Sequence, residues 1–376
     1  MTEGLVLDGR RVVVVCGSGG VGKTTISAAV AVALARAGKR TIVLAVDPAR
    51  RLATTLHLPK APGQRSVVQL GDGARLTALL LDTKRTFDEL IERHAGTAER
   101  RDRILSNRFY QRLAGTLAGT HEYMAMERLY QLATTEDWEA IVIDTPPTRS
   151  ALAFLDAPRR MTDFLGGRMF RWLLWPYRRA GTAGMWGASL GARALSRTIG
   201  RIAGGELLAD IAEFLSAFEG MYEGFKERAR RVYDLLSEEQ TAFLVVTAPE
   251  RASLQEAGHF VDRLSEAGMH LAGTVVNRWQ RAPSLRIAPE RMDHLRRGNA
   301  EERAAAALLE LAERLRRPSE RQRAAVGEFE RDRPDLQLSR VPELAAEVTD
   351  LPGLEAVSRV LFETFAPFRQ GEGTLS

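Results

Sequence analysis

The sequence has little cysteine and no long apolar run. Its single cysteine, Cys16, excludes an internal disulfide and a thiolate metal cluster built by one chain. No stretch of about 20 uninterrupted apolar residues occurs, and the first residues lack the basic-then-apolar order of a secretory signal. We therefore expect a cytoplasmic protein in which Cys16, at the end of an apolar run, is a buried strand residue.

The net charge of +5 comes mostly from arginine, which heavily outnumbers lysine. A basic balance can indicate a nucleic-acid partner or an acidic membrane surface. Here the arginines alternate with acids along helical segments, and no concentrated basic patch is present, which favours solvated helix faces. We expect no nucleic-acid partner. Hydrophobic residues make up 45% of the 376 residues, enough for a sizeable core.

The first elements alternate between strand and helix. Residues 11–16 form an apolar strand, an alanine-rich helix runs from about 22 to 37, and a second strand covers 41–46. Further strands are predicted at residues 76–82, 138–144, 241–247, 270–276 and 336–341. Most are continuous apolar runs, as in parallel sheets covered by helices on both faces. The pattern predicts an α/β protein with a doubly wound, mostly parallel sheet.

A glycine-rich loop follows the first strand. The segment VVVVCGSGGVGKTT fits G-x-x-x-x-G-K-[ST] with Gly17, Gly22, Lys23 and Thr24, between a strand and a helix as the mechanism requires. Such a loop needs glycine because successive backbone N–H groups must approach phosphates closely. The loop glycines are Gly17, Gly19, Gly20 and Gly22, with Val21 between the last two. The motif predicts a P-loop that binds ATP.

Side chains after the loop suit the remaining parts of Mg-ATP. Lys23 can reach the β and γ phosphates, the Thr24 hydroxyl can coordinate Mg²⁺, and Thr25 can hydrogen-bond the α phosphate. Asp144 and Asp47 each close a predicted strand. An aspartate there can equally be a helix cap, but the carboxyl edge beside a P-loop favours function. We expect Asp144 to hold the Mg²⁺ shell through water.

The remaining chain suggests a divided ATPase domain. We expect residues 1–150 and 240–376 to form the P-loop ATPase domain, with a closing helix over 354–365. Residues 151–239 lack a convincing strand and predict a helical insertion subdomain, while 281–335 predict a polar, helical surface excursion.

Four segments together resemble the deviant-Walker ATPases of the ArsA family: GSGGVGKTT, VDPARRL, GTHEYMAMERL and DTPPTRSALAFL. That family includes arsenite-pump ATPases and ATPases that target tail-anchored membrane proteins. The resemblance covers most of the chain. It implies that Asp47 activates the attacking water, that Asn277 reads adenine, and that Val341 and Pro342 belong to the loop over the base.

The resemblance also implies a dimer that opens and closes as ATP turns over. The family's first P-loop lysine, which reaches the partner's nucleotide, is replaced by Ser18. Either Arg50 or Arg51 supplies the missing cation in a homodimer, or the chain pairs with a paralogue that retains the lysine. The Cys-x-x-Cys zinc clamp and the arsenite-binding cysteines of relatives are absent from the sequence, which argues against zinc and arsenite.

The predicted insertion carries a dense apolar cluster. Its members are Met169, Phe170, Trp172, Leu173, Leu174 and Trp175. Such residues can pack in the protein's own core, receive a hydrophobic client helix, or contact a membrane peripherally, and these alternatives stay open. The leading hypothesis is a cytosolic chaperone or targeting ATPase. The alternatives are the energising subunit of a membrane transport complex and a nucleotide-binding regulatory subunit with little hydrolysis.

Overall fold

The structure, a computed structural model, describes most of the chain. The described residues are 7, 9–46, 51–56, 61–71, 73–113, 120–146, 210, 211, 213, 214, 217, 221–280, 287–344 and 346–364. Among the predicted residues and segments, Asp47, Arg50, the Arg51 side chain and the apolar cluster at 169–175 lie outside this part.

An eight-stranded sheet forms the centre of the described structure. Its strands are β1 (Val12–Gly17), β2 (Thr41–Ala45), β3 (Arg65–Gln69), β4 (Arg75–Leu80), β5 (Ala140–Asp144), β6 (Thr241–Thr247), β7 (Leu271–Trp279) and β8 (Leu338–Pro342). Their order across the sheet is β3-β4-β2-β5-β1-β6-β7-β8. Every neighbouring pair is parallel except the antiparallel β3–β4 pair at one edge.

Helices cover both faces of the sheet. They are α1 (Lys23–Arg36), α2 (Arg51–Thr55), α3 (Thr83–His94), α4 (Ala98–Ser106), α5 (Arg108–Leu113), α6 (Thr120–Thr135), α7 (Tyr222–Ser237), α8 (Arg251–Glu266), α9 (Pro289–Arg297), α10 (Ala300–Asp332) and α11 (Leu351–Thr364). One core layer joins the sheet to α1, α2 and α11, and the other joins it to α3, α4, α6, α7 and α8. The predicted doubly wound α/β fold is confirmed.

The buried apolar runs explain the central strands. Every residue of β1, β2, β5 and β6 is buried, as expected for strands with helices on both sides. All predicted strands are present. Strand β3 was not predicted from the sequence, because its residues are only exposed or half-buried and it shows no apolar run.

Helix α7 lies inside the range predicted for the insertion. It belongs to the core layer that also contains α3, α4, α6 and α8, through residues such as Phe225, Val232 and Leu236. The division into an ATPase domain and an insertion subdomain stays a prediction. None of the helices in the described part of the chain is long and apolar enough to cross a membrane.

Candidate nucleotide site

The P-loop lies at the carboxyl edge of the sheet, between β1 and α1. Strand β1 is flanked by β5 and β6, with Val15 opposite Asp144 and Gly17 opposite Val246. Asp144 also lies opposite Ala45, near the end of β2. Parallel strands end at the same edge, so this arrangement collects the loop, Asp144 and the end of β2 in one place.

Two loop glycines are required by close contacts. Gly17 has φ 148°, and a Cβ there would lie 2.0 Å from the Val246 carbonyl oxygen. Gly22 has φ 95° and caps α1, and its Cβ would lie 2.2 Å from Asn277 Nδ2. Gly20 also has positive φ, at 81°, with open space where a Cβ would point. The loop is thus a cradle of backbone whose shape excludes side chains at its two ends.

Lys23 is the first residue of α1 and is only 6% exposed. Its Nζ donates hydrogen bonds to the Gly17 carbonyl at 2.9 Å and to the Ser18 carbonyl at 2.8 Å. The ammonium group is therefore held within the loop, beside the N-terminus of a helix. This places one full positive charge and the partial charge of the helix end together, which suits an anionic ligand.

Oxygen atoms suited to a divalent cation lie beside the same helix. Thr24 and Thr25 are half-buried in the first turn of α1, and Asp144 is fully buried. The Ser27 hydroxyl lies 3.2 Å from Asp144 Oδ1 and 2.9 Å from the Lys23 carbonyl, so the carboxylate is connected to α1. Hydroxyl and carboxylate oxygens suit Mg²⁺, which enzymes commonly hold with few protein ligands plus substrate phosphates and water.

Asn277 contacts the P-loop itself. Its Nδ2 donates to the Val21 carbonyl at 2.8 Å, a contact that sequence reasoning missed. The next residue, Arg278, has φ 60°, the only positive φ of a non-glycine residue in the described ranges. The β7–β8 register shifts between Val276 and Trp279. Irregularities of this kind redirect side chains near functional sites. The predicted contact of Asn277 with adenine stays a prediction.

The two predicted base-covering residues lie in β8. Val341 is 2% exposed and belongs to the core beside α1 and α11. Pro342 is half-buried and lies opposite Trp279. Pro342 therefore has more surface to offer a base than Val341 has.

Ser18 has a partner that sequence reasoning did not identify. Its hydroxyl donates to the carboxylate of Glu256, an exposed residue of α8. The position of the family's signature lysine is thus next to a negative charge of the same chain.

The thiol of Cys16 is confirmed as a buried strand group. Burial raises its pKa, although the charge of nearby Lys23 acts in the opposite direction. The sulfur lies 3.5 Å from the Leu244 carbonyl oxygen. A neutral thiol is therefore stable there, and it has little nucleophilic reactivity.

A doubly wound parallel sheet with a glycine loop and a buried lysine at the start of the next helix defines a P-loop nucleotide-binding fold. Residues 10–180 and 191–286 match the family described as anion-transporting ATPase. The chain belongs to that family, and the resemblance to ArsA proteins is confirmed.

Several named ATPases are similar to this chain. It is 28% identical to ATPase ARSA2 of Chlamydomonas reinhardtii over 267 residues, 69% of this chain and 66% of that protein. It is 27% identical to ATPase GET3 of Malassezia globosa over 268 residues, 69% of this chain and 70% of that protein. It is 26% identical to ATPase get3 of Aspergillus terreus over 363 residues, 95% of this chain and 92% of that protein.

Proposed function

We propose that this chain is a Mg-dependent ATP hydrolase whose nucleotide cycle switches a dimer. The observation that carries the proposal is the P-loop, in which Lys23 and the glycine backbone converge at the start of α1. Membership of an ATPase family supports the same reaction.

The described residues have distinct roles in this proposal. Lys23 and the loop N–H groups bind the β and γ phosphates, and Thr25 binds the α phosphate. Thr24 and, through water, Asp144 hold Mg²⁺, which neutralises developing charge on the phosphates when bound. Asn277, Val341 and Pro342 form the side of the site that receives the base, with the contact on β8 made mainly by the half-buried Pro342.

The hydrolytic step itself needs an oriented water. Asp47 orients the water that attacks the γ phosphate, giving ADP and phosphate. Removing this carboxylate in Asp47→Asn should abolish turnover while leaving ATP binding intact. If Asp47→Asn turns over at the wild-type rate, the proposed role of Asp47 is wrong.

The biological role that we favour is a cytosolic chaperone or targeting ATPase for hydrophobic clients such as tail-anchored helices. The similarity to proteins named GET3 supports it. The second candidate is the energising subunit of a membrane transport complex, favoured by the family's description as anion-transporting. Co-purification with short hydrophobic helices supports the first role, whereas a stable complex with an integral membrane protein supports the second.

The decisive test of nucleotide chemistry compares two lysines at opposite ends of α1. Lys23→Ala removes the cation inside the P-loop, whereas Lys39→Ala removes the same charge just beyond the other end of the helix. A charged hydrogen bond contributes about 1.5–3 kcal/mol, so Lys23→Ala should weaken ATP binding at least about tenfold. Lys39→Ala should bind and hydrolyse ATP like the wild type.

Calorimetric ATP titration and phosphate release measure the two effects. Equal loss in both variants would show a general effect of charge or stability, and unchanged binding in Lys23→Ala would refute the P-loop assignment. A wild type that binds ATP tightly but releases no phosphate would instead favour a regulatory subunit.

A further inference from the structure

The segment GTHEYMAMERL has no role in the function proposed above, yet its histidine has a defined position. His121 is half-buried in the first turn of α6. Its Nε2 lies 2.6 Å from the Val46 carbonyl oxygen, and its Nδ1 lies 2.6 Å from Thr83 Oγ1. Both ring nitrogens therefore have partners, on two different segments of the chain.

The partners determine where the ring proton lies. A carbonyl oxygen can only accept, so Nε2 carries the proton and donates to Val46. In the neutral ring Nδ1 then accepts from the Thr83 hydroxyl. Thr83 thus orients the ring, in the way that a second partner orients histidines in metal and catalytic sites.

The carbonyl that receives this bond lies at a critical point of the chain. Val46 directly follows β2, is buried, and donates its own N–H to the Asp144 carbonyl at 3.1 Å. Ala45 before it accepts from the Leu81 N–H at 2.9 Å. The end of β2 is therefore attached to β5, to the chain before α3, and, through His121, to α6. The next residue in the sequence is Asp47.

We propose that His121 is a positioning residue that fixes the Val46 carbonyl and so the direction in which the chain leaves β2 toward Asp47. It acts through the backbone and does not itself transfer a proton to substrate. The consequence for catalysis rests on the proposed role of Asp47. The competing explanation is a histidine that only stabilises the start of α6.

Two amide substitutions separate these explanations because each keeps one half of the ring's bonding. In His121→Gln the amide nitrogen can take the place of Nε2 and donate to Val46. In His121→Asn the shorter amide keeps a polar group near Thr83 but cannot reach the Val46 carbonyl. Around metal sites, loss of a residue that orients a ligand commonly lowers metal affinity or activity by about 10–100-fold, and we take the same range here.

We expect His121→Asn to lower kcat by about 10–100-fold with little change in the KM or Kd for ATP, and His121→Gln to stay within about threefold of the wild type. Thr83→Val, which removes the ring's orienting hydroxyl, should give an intermediate loss of kcat. Thermal unfolding should be similar for the Asn and Gln variants. Equal kcat losses in these two variants, or losses that follow the unfolding midpoint, would overturn the proposal.

Amide hydrogen exchange over residues 44–46 tests the positioning directly, without reference to turnover. Exchange there should be faster in His121→Asn than in His121→Gln, and unchanged protection in both would contradict the proposal. Asp47→Asn measured in parallel identifies the other failure. If that variant retains full turnover, the proposed role of Asp47 is wrong. The difference in hydrogen exchange between the Asn and Gln variants still decides whether His121 fixes the end of β2.

Discussion

At the scale of single residues, Gly22 joins the P-loop to β7. It combines a left-handed backbone conformation with a contact that leaves no room for a Cβ beside Asn277. Gly38, near the other end of α1, has a similar φ of 85° but nothing within 4 Å of its Cβ position. Substitutions at the two glycines, which flank α1, therefore distinguish the effect of backbone strain from the effect of steric collision.

We predict that Gly22→Ala destabilises the protein more than Gly38→Ala does. Both substitutions incur a left-handed penalty of about 1–2 kcal/mol. Gly22→Ala also forces the Asn277 amide away from the Val21 carbonyl and so loses a further hydrogen bond worth about 1 kcal/mol. Chemical unfolding measures the difference, and ATP titration should show weakened binding for Gly22→Ala only.

The Gly22→Ala/Asn277→Ala double variant supplies the control. Removing the Asn277 amide relieves the collision, so the double variant should lose less stability than the two single losses added together. Strict additivity would show that Gly22 is needed for its φ alone.

The residue scale also shows which parts of the site the sequence could predict. Gly17 to Thr25 form one continuous motif, so the spacing alone predicted that they share one loop between a strand and a helix. The Asn277–Val21 and Ser18–Glu256 contacts join residues 256 and 238 positions apart. Such contacts depend on how β6, β7 and α8 fold beside β1, and no local pattern encodes them.

At the scale of secondary structure, burial explains why the central strands were predicted from the sequence and why β3 was not. Strands buried on both faces have apolar runs and were predicted, whereas β3 pairs only with β4 at the sheet edge and exposes Val67. The side chains of β3 are exposed or half-buried on both faces, so its sequence needs no apolar run. Its position is set by its antiparallel partner, which a reading of single segments does not reveal.

Helices α6 and α7 are joined by a buried ion pair. Glu127 Oε2 lies 3.1 Å from Arg228 Nε, with the carboxylate side chain 0% and the guanidinium side chain 17% exposed. Arg228 also lies over the Tyr130 ring at 4.7 Å. Burial raises the pKa of Glu127, and the charge of Arg228 only partly opposes that shift. The protonated carboxyl group is thus favoured by folding.

We predict that the effect of Glu127→Gln on stability depends on pH. Because the folded-state pKa of Glu127 is raised, its stabilising contribution is complete below the unfolded pKa and is lost as pH rises through the folded value. Glutamine resembles the protonated form at every pH. The unfolding free energy of Glu127→Gln minus that of the wild type should therefore become more positive from pH 4 to pH 8.

Glu227→Gln is the matched control for denaturant unfolding at each pH. Glu227 pairs with Arg231 at the same 3.1 Å, but its side chain is 57% exposed. Exposed helix pairs contribute about 0.3–0.5 kcal/mol, so this variant should differ little from the wild type. A pH-independent difference for Glu127→Gln would show that burial does not perturb its ionisation.

At the scale of the whole molecule, the sheet order brings β6 and α8 beside the P-loop, and this neighbourhood bears on the proposed dimer. Relatives in the family are expected to use a lysine at position 18 to reach the partner's nucleotide. Here Ser18 donates to Glu256 of its own subunit. A lysine introduced at position 18 would have that carboxylate within reach. It could then pair with Glu256 instead of reaching the phosphates of the partner's nucleotide.

We predict that Ser18→Lys alone changes ATP hydrolysis little, whereas Ser18→Lys/Glu256→Gln raises it at least about tenfold, because cross-subunit cations contribute several kcal/mol to phosphoryl transfer. Phosphate release over a range of protein concentrations, with mass measured with and without ATP, tests this. Glu256→Gln alone is the control, and it should bind ATP somewhat more tightly without faster turnover. If Ser18→Lys already matches the double variant, Glu256 does not hold the lysine. If the wild type already hydrolyses ATP as fast as the double variant, another cation already acts across the dimer. In that case Arg50 and Arg51 are the first residues to mutate.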